Sequence, residues 1–222
     1  SGSYLLMSSL DISRRNLALR GEESFAKVMD MAEYARREIN EIGGYYAYGK
    51  ELVNGTSVYD YDVTKLSVHT LGLGLAGIEV YDLLRDEYDI QIEFGDVSNI
   101  LAYISIGDRL QDIERLVGAL ADIARIYKKD STGMLSGEFI SPIVARSPQE
   151  AFYSAKESLP VEKTEGRISG EFVMCYPPGI PILAPGEMIT DEIIQYILYV
   201  KEKGCSMQGT EDKSVNKLKV LV

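Results

Sequence analysis

The 222 residues carry 34 acidic against 23 basic side chains, a formal charge of −11, and 45% of them are hydrophobic. This is the composition of a globular chain with room for one large or two modest cores, and its acidity argues against nucleic acid or an anionic membrane surface as partner while favouring a small cation. Cys175 and Cys205 are the only cysteines and lie thirty positions apart, with no Cys-x-x-Cys or Cys/His pattern, so a reducing cytoplasm is expected rather than a zinc site or a disulfide framework; no run of eighteen apolar residues reads as a membrane span.

Residues 4–42 have the apolar spacing of a helix, through Leu6, Leu10, Leu17, Phe25, Val28, Met31, Ala35 and Ile39, and Gly21 is expected to break it in two. Arg36 and Arg37 near its end, with Gly43 and Gly44 beyond, suit the helix dipole and a left-handed cap. A short strand over 45–48, a turn at Asn54-Gly55 and a strand over 65–71 follow. The single histidine, His69, has no nucleophile motif with it and reads as a core or interface side chain. The glycine-rich stretch over 72–77 lies between that strand and a helix over 78–88. It has neither the G-x-G-x-x-G nor the P-loop spacing, and close strand-to-helix packing needs the same small residues as a phosphate cradle.

A strand is expected over 90–93, a turn over 95–99 and a buried strand over 100–106, with Asp108 as N-cap of a helix over 109–128. Glu93 and Asp96 form an acidic pair around the turn EFGD. Such carboxylates either face water or, at the mouth of a pocket, pair with an ammonium or guanidinium group. Residues 128–137 read as a linker. Beyond it, Ser147, Pro148 and Glu150 open a short helix, Thr190 starts another to about 203, and 217–222 read as a strand. Four of the seven prolines and four glycines punctuate 166–190, which should run extended, turn and run extended again. Two small α+β units are the fold expected from these patterns.

GRIS, then YPPGIP, PGE and IT at this spacing within 166–190 resemble the C-terminal signature of the bacterial ornithine/lysine/arginine decarboxylases, pyridoxal-phosphate enzymes of the aspartate-aminotransferase fold. The resemblance extends over SYLLMSSLD, DVTKLSV, NILAYISIGD and SPQEAFYS, and is strongest to the biosynthetic arginine branch. It implies a helix leaving the family's large cofactor domain and the small domain over 1–132, followed by the family's C-terminal α+β domain over 133–222. The large cofactor domain and its Ser-x-His-Lys Schiff-base lysine are not represented, since His69 is followed by threonine.

What the resemblance implies functionally is decarboxylation of a basic amino acid to a di- or polyamine with the cofactor ring as electron sink, arginine first, with lysine and ornithine open. The chain would be inactive by itself and would need the missing N-terminal domain, in a homodimer or higher homo-oligomer. Ser1 and Ser3 match the end of a segment that contacts the phosphate of a neighbouring subunit's pyridoxal phosphate. Glu93 and, less directly, Asp96 fall near the cationic tail of the substrate; no catalytic residue and no metal ligand is carried over. The segment over 176–181 would dock the last domain and help wall the entrance to the site, with Glu171 a distant candidate for meeting a cation. The absent lysine motif leaves open a second class, a non-catalytic regulatory or assembly protein that binds a basic amino acid or polyamine.

Overall fold

The computed structural model describes residues 2–131, 140–176 and 178–222, and the protein is of mixed α/β class. Helix α1 runs without interruption over Tyr4–Ile42. Gly21 does not break it: a glycine costs only about 1 kcal/mol in a helix interior, which the packing of the C-terminal half outweighs. That half buries Val28, Ala32, Ala35 and Ile39, whereas residues 4–20 are exposed. Gly43 and Gly44 end the helix with φ of 81° and 83°.

Strands β1 (Tyr46–Ala47) and β2 (Lys65–His69), helix α2 (Gly77–Tyr88), strands β3 (Phe94–Gly95) and β4 (Asn99–Tyr103) and helix α3 (Leu110–Ile126) complete the first core. The sheet order is β1-β2-β4-β3 and every pairing is antiparallel. Alternation puts Leu66, Val68, Ile100 and Ala102 on one buried face, where they join Ile39 of α1, Val80 and Leu84 of α2, and Leu120 and Ile123 of α3. Lys65, Ser67 and His69 line the other face and are only half-buried.

Three local expectations change. The strand expected over 90–93 is displaced to β3, because Phe94 and Gly95 pair with Leu101 and Ile100. The turn is therefore 96–99. Helix α3 is capped by Arg109, whose amide donates to the Asp112 carboxylate, while the Asp108 carboxylate accepts from the Ser105 amide.

Arg36 does not complement the helix dipole. It is buried, and its guanidinium donates to the carbonyls of Tyr48, Val63 and Lys65 and to the Tyr61 hydroxyl, with Glu33 beside it at 3.2 Å. The charge thus ties α1 to the loop between β1 and β2 and to the start of β2.

The linker expected over 128–137 and the division at 132/133 fall mainly on 132–139, outside the described residues. Helix α4 (Pro148–Tyr153), strands β5 (Lys156–Pro160), β6 (Val173–Tyr176) and β7 (Ile180–Leu183), helix α5 (Asp191–Glu202) and strands β8 (Ser206–Gln208) and β9 (Lys217–Leu221) follow. Ser147 and Glu150 cap α4 reciprocally, and the Thr190 hydroxyl accepts from the Ile193 amide to start α5. β5 pairs with β9, and β7-β6-β8 form a three-stranded sheet. Val173, Leu183, Ile193, Ile197, Leu218 and Val220 fill a second core between these sheets and α5.

Replacing Arg36 by alanine leaves the buried Val63 carbonyl without its donor, while the Tyr48 and Lys65 carbonyls are left to share the Tyr61 hydroxyl. At about 1–3 kcal/mol for an unsatisfied buried group, a loss of about 1–3 kcal/mol is expected in urea denaturation; a midpoint equal to wild type would reject this role.

Candidate functional site

Of the residues singled out from the sequence, Glu93 and Asp96 flank β3. Its two ladder residues, Phe94 and Gly95, hold Glu93 and Asp96 three positions apart, and an odd spacing along a strand turns side chains to opposite faces. Accordingly, the two acids do not form one pair. Glu93 is exposed and lines a cavity of about 450 Å³ with Tyr103, Asp108, Asp112 and Arg115. Asp96 is half-buried and does not reach that cavity; its Oδ1 accepts from the amides of Ser98 and Asn99 at 2.8 and 2.7 Å and closes the turn.

That turn is built against α2. The carbonyl of Asp96 accepts from the Ile78 amide at 2.7 Å, and a Cβ on Gly77 would overlap the carbonyl oxygen of Asn99. The glycine-rich stretch is therefore a packing device: Gly72 and Gly74 likewise abut the backbones of Gly44 and Lys129. Thr70 at its start donates to the carbonyls of Leu75 and Ser98.

Next to Asp96 on the open face of the sheet lies a polar aromatic group. The Tyr48 hydroxyl donates to Asn99 Oδ1 at 3.2 Å, His69 Nδ1 lies 3.3 Å from the same oxygen, and Tyr46 packs edge-on to Tyr48. Burial, and then the Asp96 charge, push the Tyr48 hydroxyl above its ordinary range. His69 is thus half-buried on that face and outside the apolar core.

The 96–99 turn also joins the two cores. Val97 packs with Cys175, Val200 and Cys205, flanked by Ile78, Tyr196 and Tyr199. Burial, then the neighbouring Cys175 and Asp96, push the Tyr196 hydroxyl up to about 12. Glu79 in the first turn of α2 adds an ionic link. It accepts from the Ala76 amide, pairs with Lys129 at 2.7 Å and faces Lys203 of the second core at 3.9 Å. Burial would raise its carboxyl, but the hydrogen bonds from Lys129 and Ala76 and the two lysine charges outweigh it and hold it below the ordinary 4.5.

Elsewhere, Ser3 is exposed at the N-terminus of α1 and makes no side-chain cap, while Ser1 lies outside the described residues. The Glu171 carboxylate is taken up by the amides of Glu211 and Lys219. Tyr176 and Ile180, flanking the β6–β7 turn, are 50% and 67% exposed; Pro177 lies outside the described residues. Among the described residues no group of three His, Cys, Asp or Glu side chains could hold a metal ion, and no helix is long and apolar enough to cross a membrane.

Residues 136–213 match the family described as Orn/Lys/Arg decarboxylase, C-terminal domain. That stretch carries the family's C-terminal domain, and the chain corresponds to the C-terminal part of the relatives it resembles. Over its whole length it is 39% identical to an arginine decarboxylase of Bacillus subtilis and 40% identical to one of Halalkalibacterium halodurans, covering 46% of each. The chain thus spans just under half the length of these curated relatives. The constitutive lysine decarboxylase of Escherichia coli shares its fold, with a TM-score of 0.69 at 18% identity over 100% of this chain and 44% of that one. Lysine decarboxylase of Francisella novicida gives 0.63 at 19% over 91% and 40%.

The pKa of Glu79 is lowered on folding, so its contribution is present above the unfolded value and lost as pH falls through the folded one. Glu79→Gln is expected to cost about 1 kcal/mol at pH 7, and the gap to wild type should narrow as the pH falls below the ordinary 4.5. A gap that does not narrow with acidification would exclude the ionic link.

Proposed function

We propose that this chain is the C-terminal portion of a pyridoxal-phosphate-dependent decarboxylase of basic amino acids, with arginine converted to agmatine for polyamine synthesis. The full-length similarity to two arginine decarboxylases carries this reading, and identity to the constitutive lysine decarboxylase of E. coli is lower, 30% over 111 residues.

The described residues do not by themselves make a site for pyridoxal phosphate. Ser3 is exposed with an uncommitted hydroxyl at a helix N-terminus, which fits a contact to a phosphate but encloses no ring. The cofactor, which supplies the electron sink for loss of the carboxylate, would be held by the N-terminal portion that the relatives possess. No chemical step is assigned to a side chain of this chain.

Its own residues would select the substrate and complete the assembly. Glu93 is an exposed carboxylate on a cavity wall shared with Asp108 and Asp112, a setting that attracts a guanidinium or ammonium group. Asp96, with Oδ1 already committed to the turn, would contribute mainly through its charge. The exposed residues 4–20 of α1 and the β6–β7 turn supply apolar surface for the N-terminal domain and for a second copy of the protein; Tyr176 and Ile180 would then wall the entrance to the site. Two unpaired cysteines suit a cytoplasmic protein.

The complete reading frame that encodes this chain should release carbon dioxide from arginine faster than from lysine or ornithine. No release from any of the three rejects the proposal. In that enzyme Glu93→Gln is expected to raise KM for arginine about tenfold or more, the worth of one charge-assisted hydrogen bond; an unchanged kcat/KM would remove Glu93 from recognition. The 222-residue chain alone should give no specific borohydride-reducible adduct with pyridoxal phosphate, and a stoichiometric adduct on one lysine would overturn the assignment of the cofactor to the other portion.

A further inference from the structure

Cys175 and Cys205 are the only cysteines of the chain, and the proposed decarboxylation uses neither. Folding brings them together across thirty residues. β6 and β8 are antiparallel, with Cys175 opposite Met207 and Tyr176 opposite Ser206. Cys205 immediately precedes β8, so by strand alternation Cys175, Cys205 and Met207 share one face of the sheet. Both are buried in one cluster with Val97 and Val200, where each thiol shifts the pKa of the other. Both are free thiols. Cys205 is not sealed off, because it forms part of the wall of a cavity of about 550 Å³ with Met207, Thr210 and Lys213.

We propose that Cys175 and Cys205 form a reversible dithiol site, which a peroxide converts to a disulfide fastening β6 to the start of β8 beside the turn that carries Asp96 and Val97. The chemistry is independent of what the longer protein catalyses. Cys175 is the nucleophile: the Cys205 thiol beside it holds its pKa below the ordinary thiol range, although burial and the Asp96 charge oppose this. Cys205 is pushed up by Cys175, by burial and by the neighbouring Asp96 and Asp82. It therefore keeps its proton until the second step.

The Cys175 thiolate attacks one oxygen of hydrogen peroxide and the O–O bond breaks, leaving a sulfenic acid and a hydroxide that takes up the proton lost by Cys175. Cys205 sulfur then attacks the Cys175 sulfur, loses its proton and expels water. Two thiols and one peroxide give one disulfide and two waters, and a thiol reductant returns the two electrons and two protons. Closing from thiol contact to an S–S bond of about 2.04 Å requires the Cys205 segment to shift. Gly204, at φ 80° with open space around the position of a Cβ, adjoins it. Burial makes the reaction slower than that of an exposed sensor thiol.

The purified native protein, fully reduced and then treated with hydrogen peroxide, should lose about 2 Da in intact mass for the one bond formed. Non-reducing peptide mapping should recover Cys175 linked to Cys205, and dithiothreitol should reverse it. Since the bond closes a loop of about thirty residues, Tm should rise by roughly 5–10 °C. In Cys205→Ser the sequence should stop at a dimedone-reactive sulfenic acid on Cys175. Recovery of both thiols unmodified from oxidised wild type, or cysteines linked only between molecules, would overturn the proposal, and neither result depends on a variant folding.

Discussion

Helix α2 can begin where it does only because Gly77 has no side chain. A methyl group there would occupy the space of the Asn99 carbonyl, and one on Gly95 would strike the Gly77 carbonyl. This approach lets the first amides of α2 donate to the Asp96 and Val97 carbonyls, so the helix start and the turn satisfy each other without water. The links described between the two cores rest on it. Val97 is presented to Cys175 and Cys205, Glu79 is aimed at Lys203, and Asp96 is turned away from Glu93.

The two cores themselves are complete, each with large aliphatic side chains fully removed from water. The exposed surface carries a long apolar segment. Residues 4–20 of α1 display Leu5, Leu6, Leu10, Ile12 and Leu19 to solvent, and Phe152, Tyr153 and Ile180 are exposed as well. Scattered exposed apolar residues are ordinary, but a whole helical segment that is apolar on several sides is normally enclosed. This agrees with a chain that spans less than half of its relatives' length.

Local chemistry was legible in the sequence, and contacts between distant residues were not. Ser147 with Glu150, Thr190 and the 217–222 strand could be read because a cap or an alternating run is decided by neighbours a few residues away. The β3 register was misread because two ladder residues carry too little alternation to locate a strand, and that shift moved the turn by one residue and separated Glu93 from Asp96. Arg36 looked like a dipole partner because its real acceptors lie 12 to 29 residues further on. The cysteines have no motif; only the register of β6 on β8 unites them. The family signature over 166–190 was readable because glycine and proline fix backbone shape locally, as Gly179 and Gly186 at φ 91° and 94° now illustrate.

At about 1.5 Å per residue, the 39 residues of α1 form a rod of roughly 58 Å, of which only the last third or so is embedded in the first core. Leu6, Leu10 and Leu17 mark one edge of the free part, and Leu5, Ile12 and Leu19 another, ~140° around the axis at 3.6 residues per turn. A rod held at one end and exposed to solvent along both edges has the geometry of a lever. A small rotation of the first core becomes, by length alone, a displacement of several ångström at Tyr4.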